Sequence, residues 1–169
     1  EAILEAYPEL DRMRSEGIIK AIGVGMNQCE TPTRVIKETD IDMVLIAGRY
    51  SLLDQRALDE LLPTALERNV DIIAAGVFNS GILANPVKGA TYDYVPASDE
   101  LLAKAVRIRE VLDGHKVSLT SAALQFPLRH PAVKSVLVGC RSAAEVTTNI
   151  TEFNKTIENK VWDDLVSVL

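Results

Sequence analysis

Short runs that are apolar at nearly every position alternate along the chain with longer stretches whose apolar residues recur every three or four positions. Ile3, Leu4, Tyr7, Leu10 and Met13 fall near helical spacing over residues 1–16, which predicts a helix already under way at Glu1. It has no starting methionine and no N-cap, so a piece of a longer protein is expected. "KAIGVGMN" predicts a short buried strand over Ala21–Gly25. Thr31-Pro32 then supplies a cap and first turn for a helix to about Glu38. The same alternation predicts a strand at Asp42–Gly48, a helix at Asp54–Asn69 bent at Pro63, and a strand at Asp71–Val77. Residues 78–98, with Asn-Ser-Gly, Asn-Pro and Tyr-Asp-Tyr, are long for a connector and predict a ligand loop. Helices at Asp99–Leu112 and Leu119–Arg129, a strand "KSVLVG" at Lys134–Gly139, a helix from Ser142 to about Thr151 and a last helix over residues 154–169 complete the pattern.

Strands that are apolar on both faces and alternate with helices imply a parallel sheet covered by helices, an α/β fold. Four such units, three of them at near-regular spacing, predict a (β/α)8 TIM barrel of which this chain supplies about the last four strand-helix units, since the whole takes roughly 250 residues. Residues 1–169 form one partial barrel domain on this reading. Two long strand edges are left, to be covered by a missing N-terminal half of the barrel or by a homo-oligomer.

Composition narrows the function. The 169 residues are 47% hydrophobic and 25% charged with net charge −6, an ordinary globular balance that argues against a binder of nucleic-acid phosphates. No apolar run approaches the roughly 20 residues of a membrane span, so no membrane partner and a cytoplasmic place are expected. Cys29 and Cys140 lack CxxC or His-rich spacing, so no metal site and no disulfide are expected.

All four predicted strands end in glycine: Gly25-Met26-Asn27, Ala47-Gly48-Arg49-Tyr50, Ala75-Gly76-Val77-Phe78-Asn79-Ser80-Gly81, and Gly139-Cys140-Arg141-Ser142. Barrel ligands bind at this end of the strands. Glycine admits close backbone approach, and free N–H groups at a helix start attract anions, which together suit a pyrophosphate. Any single glycine is explained as well by a tight turn; the four together, beside a long polar loop, favour a ligand.

"GIIKAIGVGMNQ", "RYSLLDQRALDELLPTALERNVDIIAAGVFNSGILA" and "ALQFPLRHPAVKSVLVGCRSAAEVTTNI" resemble, in order and spacing, the C-terminal half of an aldo-keto reductase, in its bacterial sugar and pyridoxal dehydrogenase branch. The resemblance implies an NAD(P)-dependent oxidoreductase that moves hydride between a nicotinamide and a sugar hemiacetal, alcohol or carbonyl of a small-molecule substrate. It places the adenosine end on Gly139, Cys140, Arg141, Ser142, Glu145 and Asn149, and the pyrophosphate on Gly76, Phe78, Asn79, Ser80, Gly81 and Leu83. Around the nicotinamide the chain departs from the family. Gly25-Met26 replace a Ser-Asn pair, Ala47 replaces a glutamine and Ala75 replaces a stacking tyrosine, so Asn27 and Phe78 are the expected substitutes.

The family's catalytic Tyr, Lys, Asp and His stand on earlier strands. The resemblance therefore implies no catalytic residue in this chain, a catalytic set upstream of Glu1, and an inactive fragment if the chain acts alone. Tyr50, Tyr92 and Tyr94 are weaker substrate candidates, with local packing the competing role for each. His130 and His115 fit helix ends, Trp162 fits the core, and Glu100, Glu110 and Asp163-Asp164 fit a solvated face. Basic residues that bind the 2′-phosphate of NADP in many members are replaced here by Gly139 and Glu145. A carboxylate about 4 Å from a phosphate costs about 1–4 kcal/mol, so NAD is favoured over NADP. Ser142 to Glu145 is equally a capping box, and Arg141 stands against the NAD preference. A non-catalytic half-barrel that binds nucleotide or a partner is the alternative reading.

Overall fold

The computed structural model describes residues 2–169, a helical chain wrapped on one face of a four-stranded parallel sheet. Glu1 lies outside the described residues, and with it the expected helix start and the point upstream of which the catalytic set is expected. A π-type turn, Ala2–Ala6, runs into α1 (Tyr7–Ser15), and β1 (Gly23–Met26), α2 (Glu30–Glu38) and β2 (Met43–Ala47) follow. Next come a 3-10 turn at Arg56–Leu58, α3 (Leu61–Glu67) and β3 (Asp71–Ala75). The long loop after β3 folds a 3-10 turn, Asn79–Gly81, and a small antiparallel hairpin of β4 (Thr91–Tyr92) and β5 (Val95–Pro96). Then α4 (Asp99–Gly114), α5 (Leu119–Gln125), a 3-10 turn at Phe126–Arg129, β6 (Val133–Leu137), α6 (Ala143–Phe153) and α7 (Asn159–Leu165) close the chain.

The main sheet has the order β1-β2-β3-β6, every pair parallel, with β1 and β6 at its edges. Its two faces differ. The row Val24, Val44, Ile72, Val133 faces the helices, and Val44 and Ile72 are fully buried there with Ile46 and Ala74. The alternate row Gly25, Leu45, Ile73, Ser135 stays partly or wholly open. The runs of β2 and β3 are apolar on both faces beyond Asp71, whereas β6 carries Lys134 and Ser135, and only one face is covered by this chain. Gly23 is required where it stands, because a Cβ there would lie 2.6 Å from the Met43 side chain of the neighbouring strand.

Several boundaries move, each for a local reason. The expected Thr31 cap is inside α2, which starts at Glu30 after Cys29, and the Thr31 hydroxyl instead accepts from the Gln28 amide. The single helix expected over Asp54–Asn69 is two pieces. Asp54 stays outside, taking the Arg56 N–H, and Pro63 sits in the first turn of α3, where its missing N–H costs nothing. Pro127 likewise ends α5 at Gln125, since it has no N–H for the bond that would continue the helix. The last helix begins at Asn159 rather than Asn154, after an extended Glu158. The strands expected at Ala21–Gly25 and Lys134–Gly139 shift to Gly23–Met26 and Val133–Leu137.

At the β6 edge α6 buries none of its residues, and its Val146, Ile150 and Phe153 stand exposed along a groove shared with Val136 and Val138. Among the described residues no helix is long and apolar enough to cross a membrane. None of their His, Cys, Asp and Glu side chains form a group of three or more suited to a metal ion.

Candidate functional site

The C-terminal ends of β2 and β3 turn outward through two glycines in the left-handed region, Gly48 (φ +69°) and Gly76 (φ +63°). A Cβ on Gly76 would come 3.0 Å from the Gly48 nitrogen, so the two turns interlock only because side chains are missing. Asn79 locks them. Its amide nitrogen donates to the Gly48 carbonyl at 3.1 Å, and its amide oxygen accepts the Ser51 hydroxyl at 2.5 Å. The Ser51 oxygen also receives the N–H groups of Leu53 and Asp54. Asn79 is only 3% exposed, and both ends of its amide are committed to this strut.

Above the strut lies the hairpin. Thr91 donates its hydroxyl to the Ser80 carbonyl, and the Tyr94 N–H donates to the Ser80 hydroxyl. Two longer ties bind it to the loop after β2. Arg49 grips the Asp93 carboxylate with both terminal nitrogens, at 3.0 and 2.8 Å, and the Tyr92 hydroxyl donates to Asp54 at 2.7 Å. Burial together with the neighbouring Asp54 carboxylate pushes the Tyr92 hydroxyl up to about 12. Burial alone would raise Asp54, but its bonds to Arg56 and Tyr92 outweigh that and hold it below the ordinary carboxylate value.

Across from this loop is the turn from β6 into α6. Ser142 caps α6 by accepting the Glu145 N–H at 3.2 Å. The Glu145 carboxylate returns to the backbone one residue earlier than a capping box requires. It accepts the Arg141 N–H at 2.8 Å and the Arg141 guanidinium at 3.0 Å, and those bonds hold its carboxyl below the ordinary value. Asn149, further along α6, donates its amide to the Cys140 sulfur at 3.3 Å. Between this turn and the loop after β3 opens a cavity of about 740 Å3, with Gly76, Phe78, Ser80, Gly139, Glu145 and Asn149 on its walls. A smaller cavity of about 270 Å3 lies over the ends of β1 to β3, beside Asn27, Ala47 and Gly48.

The profile of the Aldo/keto reductase family matches residues 1–169, the whole chain. The chain belongs to the aldo/keto reductase family. Among its relatives, a pyridoxal 4-dehydrogenase from Microbacterium luteolum is 43% identical over 162 residues, covering 95% of the chain and 47% of the relative. A D-threo-aldose 1-dehydrogenase from a Pseudomonas species is 41% identical over 166 residues, covering 97% of the chain and 50% of the relative. The chain thus spans about half the length of the curated relatives it matches. Among solved structures, the holo form of aldo-keto reductase AKR11C1 from Bacillus halodurans superposes with a TM-score of 0.81 at 22% identity, over 99% of this chain and 56% of that one. The glycerol dehydrogenase AKR11B4 from Gluconobacter oxydans gives 0.71 at 15% identity, over 100% of this chain and 54% of that one. The fold is that of a partial (β/α)8 barrel.

The chain brings many of the expected site residues together. Gly76, Phe78, Asn79, Ser80, Gly81, Gly139, Arg141, Glu145 and Asn149 all line the larger cavity. Leu83 does not, since its side chain is fully buried in the core, and the Asn79 amide faces the strut. Cys140 turns its sulfur to the far side of the rim, against the exposed face of α6. Asn27 reaches the smaller cavity, but Phe78 lines only the larger one. Tyr50 is not at the mouth: it is 5% exposed and stacks on Phe126 with ring centres 5.2 Å apart. Tyr92 faces Asp54, whereas Tyr94 is 92% exposed and lines both cavities.

His130 is not the expected helix-end cation. Burial lowers its pKa, and its Nδ1 accepts the Ala132 N–H, which a neutral ring can do. His115 meets the carboxylate of Asp164 on α7 at 2.9 Å. Trp162 packs in the core, with Arg129 lying 4.9 Å over its ring. Arg49, Ser51, Asp54 and Asp93 escaped the sequence reading. The glycine before Arg49 was a signal for the turn, but nothing in the sequence pairs it with an aspartate 44 residues on.

Proposed function

We propose that this chain is the nucleotide-binding half of an NAD-dependent aldo/keto reductase acting on a sugar hemiacetal, alcohol or carbonyl, with the catalytic residues supplied by sequence upstream of Glu1. The observation that carries the reading is the larger cavity, walled by glycines, one serine and the first turns of an eleven-residue helix. The walls fit a dinucleotide. Gly81 and Gly139 have nothing within 4 Å of where a Cβ would stand, so their backbone is open to a ligand. Ser80, held in the left-handed region at φ +58°, lies between the two cavities with its hydroxyl beside the Tyr94 N–H. Gly76, Ser80 and Gly81 would hold the phosphates and the Arg141 to Asn149 face the adenosine, by hydrogen bonding and by the helix-start field. When bound, the nicotinamide supplies the acceptor or donor of hydride.

NAD is favoured because the one cation on this wall among the described residues, Arg141, is bonded to Glu145, which stays ionised at neutral pH. A 2′-phosphate has to break that pair and then meet the carboxylate. The names of the relatives support a sugar or pyridoxal-like alcohol as substrate, and two free thiols accord with a reducing cytoplasm. The covering partner on this reading is the other half of a barrel. Energy transfer from Trp162 to NADH, titrated in parallel with NADPH, tests it. Saturable NADH binding at least severalfold tighter than NADPH is expected, and no saturation with either sinks the proposal. Binding without dehydrogenase activity in any assembly containing the chain would instead support the non-catalytic half-barrel.

A further inference from the structure

The two cavities meet along a ridge, sharing Gly76, Asn79, Ser80 and Tyr94 in their walls. Asn79 is consumed by its strut, Gly76 has no side chain and Ser80 is short. Among the described residues Tyr94 is thus the one large side chain at the crossing, in a residue that is 92% exposed. Its backbone is costly to hold there. Asp93 and Tyr94 are consecutive non-glycine residues in the left-handed region, at φ +49° and +64°, where a Cβ crowds the following carbonyl oxygen. Such a conformation persists only where the surroundings fix it.

What fixes it is unequal. The hairpin strands are two residues each, and the Tyr94 N–H has its bond to Ser80. Among the described residues the only ion pair on the tip is the fork from Arg49 to Asp93. Arg49 suits that duty. Its side chain is 12% exposed, and its backbone is anchored by the Ala57 N–H bonding to its carbonyl at 3.1 Å. Its other acidic neighbour, Asp54, is 3.8 Å away and already held by Arg56 and Tyr92. A planar guanidinium meeting both carboxylate oxygens sets direction as well as distance, which a lysine ammonium does not.

We infer that Arg49 is a positioning residue that, through Asp93, holds Tyr94 across the boundary between the cavities and so slows release of a dinucleotide lying over the ridge. This rests on the nucleotide reading above. Loss of the fork lets the tip relax to ordinary φ values and takes the ring off the crossing. The fold keeps its core, because the Asn79 strut and the Asp54 cluster lie beneath the fork and do not depend on it.

The test is the NADH off-rate of the protein, followed by stopped-flow displacement with excess NAD, beside thermal unfolding and amide exchange at residues 93–95 without ligand. Asp93→Asn leaves Arg49 near Asp54, and Arg49→Lys keeps the charge without the fork. Each is expected to raise the off-rate by about tenfold, the weight of one partly buried charge-assisted pair. Tip exchange should rise in both, with the unfolding midpoint little changed. The double variant should release NADH no faster than either single one. Tyr94→Ala should match them, and Tyr94→Phe should match wild type. NADH binding with off-rates within twofold of wild type in Asp93→Asn and Tyr94→Ala overturns this inference alone. So does an off-rate that rises only where the unfolding midpoint falls with it. Absence of NADH binding in wild type overturns the nucleotide reading and this inference together.

Discussion

The larger cavity has two walls built on different plans. The wall after β3 is cross-braced from a distance: Asn79 to Ser51 and Gly48, Tyr92 to Asp54, Asp93 to Arg49. The wall from β6 into α6 is held by neighbours in sequence. Among the described residues the side chains of Arg141, Ser142, Glu145 and Asn149 bond only within this turn and its helix, which buries no residue. Glu152 is the exception, docking α6 on α5 by accepting the hydroxyls of Ser118 and Ser121. One wall is preformed by the chain's own core. The other keeps its local shape but takes its position from little more than Glu152, the bond of Gln125 to Lys155 and the β6 ladder.

Substitutions can break that contrast, and the strongest should act on the braced wall. Asn79→Ala orphans the Ser51 hydroxyl and the Gly48 carbonyl and leaves alanine in the left-handed region. A loss of about 2–4 kcal/mol in urea unfolding is expected, together with loss of NADH binding. A loss under about 1 kcal/mol would show the strut is not what organises this wall.

Glu152→Gln tests the anchor of the second wall. The carboxyl titrates near 2, lowered first by Lys155 and then by Ser118 and Ser121, against an ordinary 4.5. A depressed value means that the folded state binds the proton less readily, so this contribution is full above 4.5 and fades as pH falls from there toward 2. Unfolding free energy should drop by about 1–2 kcal/mol across that window after allowance for partial exposure. The Gln variant should lose that amount at neutral pH and show a flatter profile. An unchanged acid profile would mean that α6 is held otherwise.

How far this contrast was legible follows from how local its causes are. The local hydrogen bonding of the β6-to-α6 rim was readable because glycine, cap and capping acid lie within seven residues; the backbone partner of Glu145 was misplaced by one, and Cys140 and Ser142 do not line the cavity. The braced wall was readable as a loop but not as a mechanism. Arg49 with Asp93, and Ser51 with Asn79, meet only once two strand ends have been brought side by side. Tyr50 was left between packing and a weak substrate role for the same reason: a tyrosine at a strand end turns to core or mouth according to what packs beneath it, here Phe126 and His130. The fold itself rested on alternation of apolar runs, which is a property of neighbours and survived intact.

Two milder changes sharpen the picture of the locally held rim. Glu145→Gln keeps the helix cap, since that bond uses the Glu145 N–H, but frees Arg141. Its NAD to NADP affinity ratio should fall by about fivefold, the weight of roughly 1 kcal/mol. A ratio unchanged within error would remove Glu145 from cofactor choice. Smallest of all, Ile150→Ser on the exposed face of α6 should change the stability of the isolated chain by less than about 0.5 kcal/mol. A larger loss would reveal that this face is covered in solution.

The outer edges of the sheet are unlike each other. β1 brings two glycines to one edge, while β6 brings Leu137 and the bare side of α6 to the other, and both strands point the same way. Like edges cannot meet in parallel and close on themselves, so copies that extend the sheet in parallel must join head to tail. Two copies whose curvature sums to a full turn end as a ring. Any other curvature leaves one free joint at each end, and the product grows as a polar filament whose length follows protein concentration.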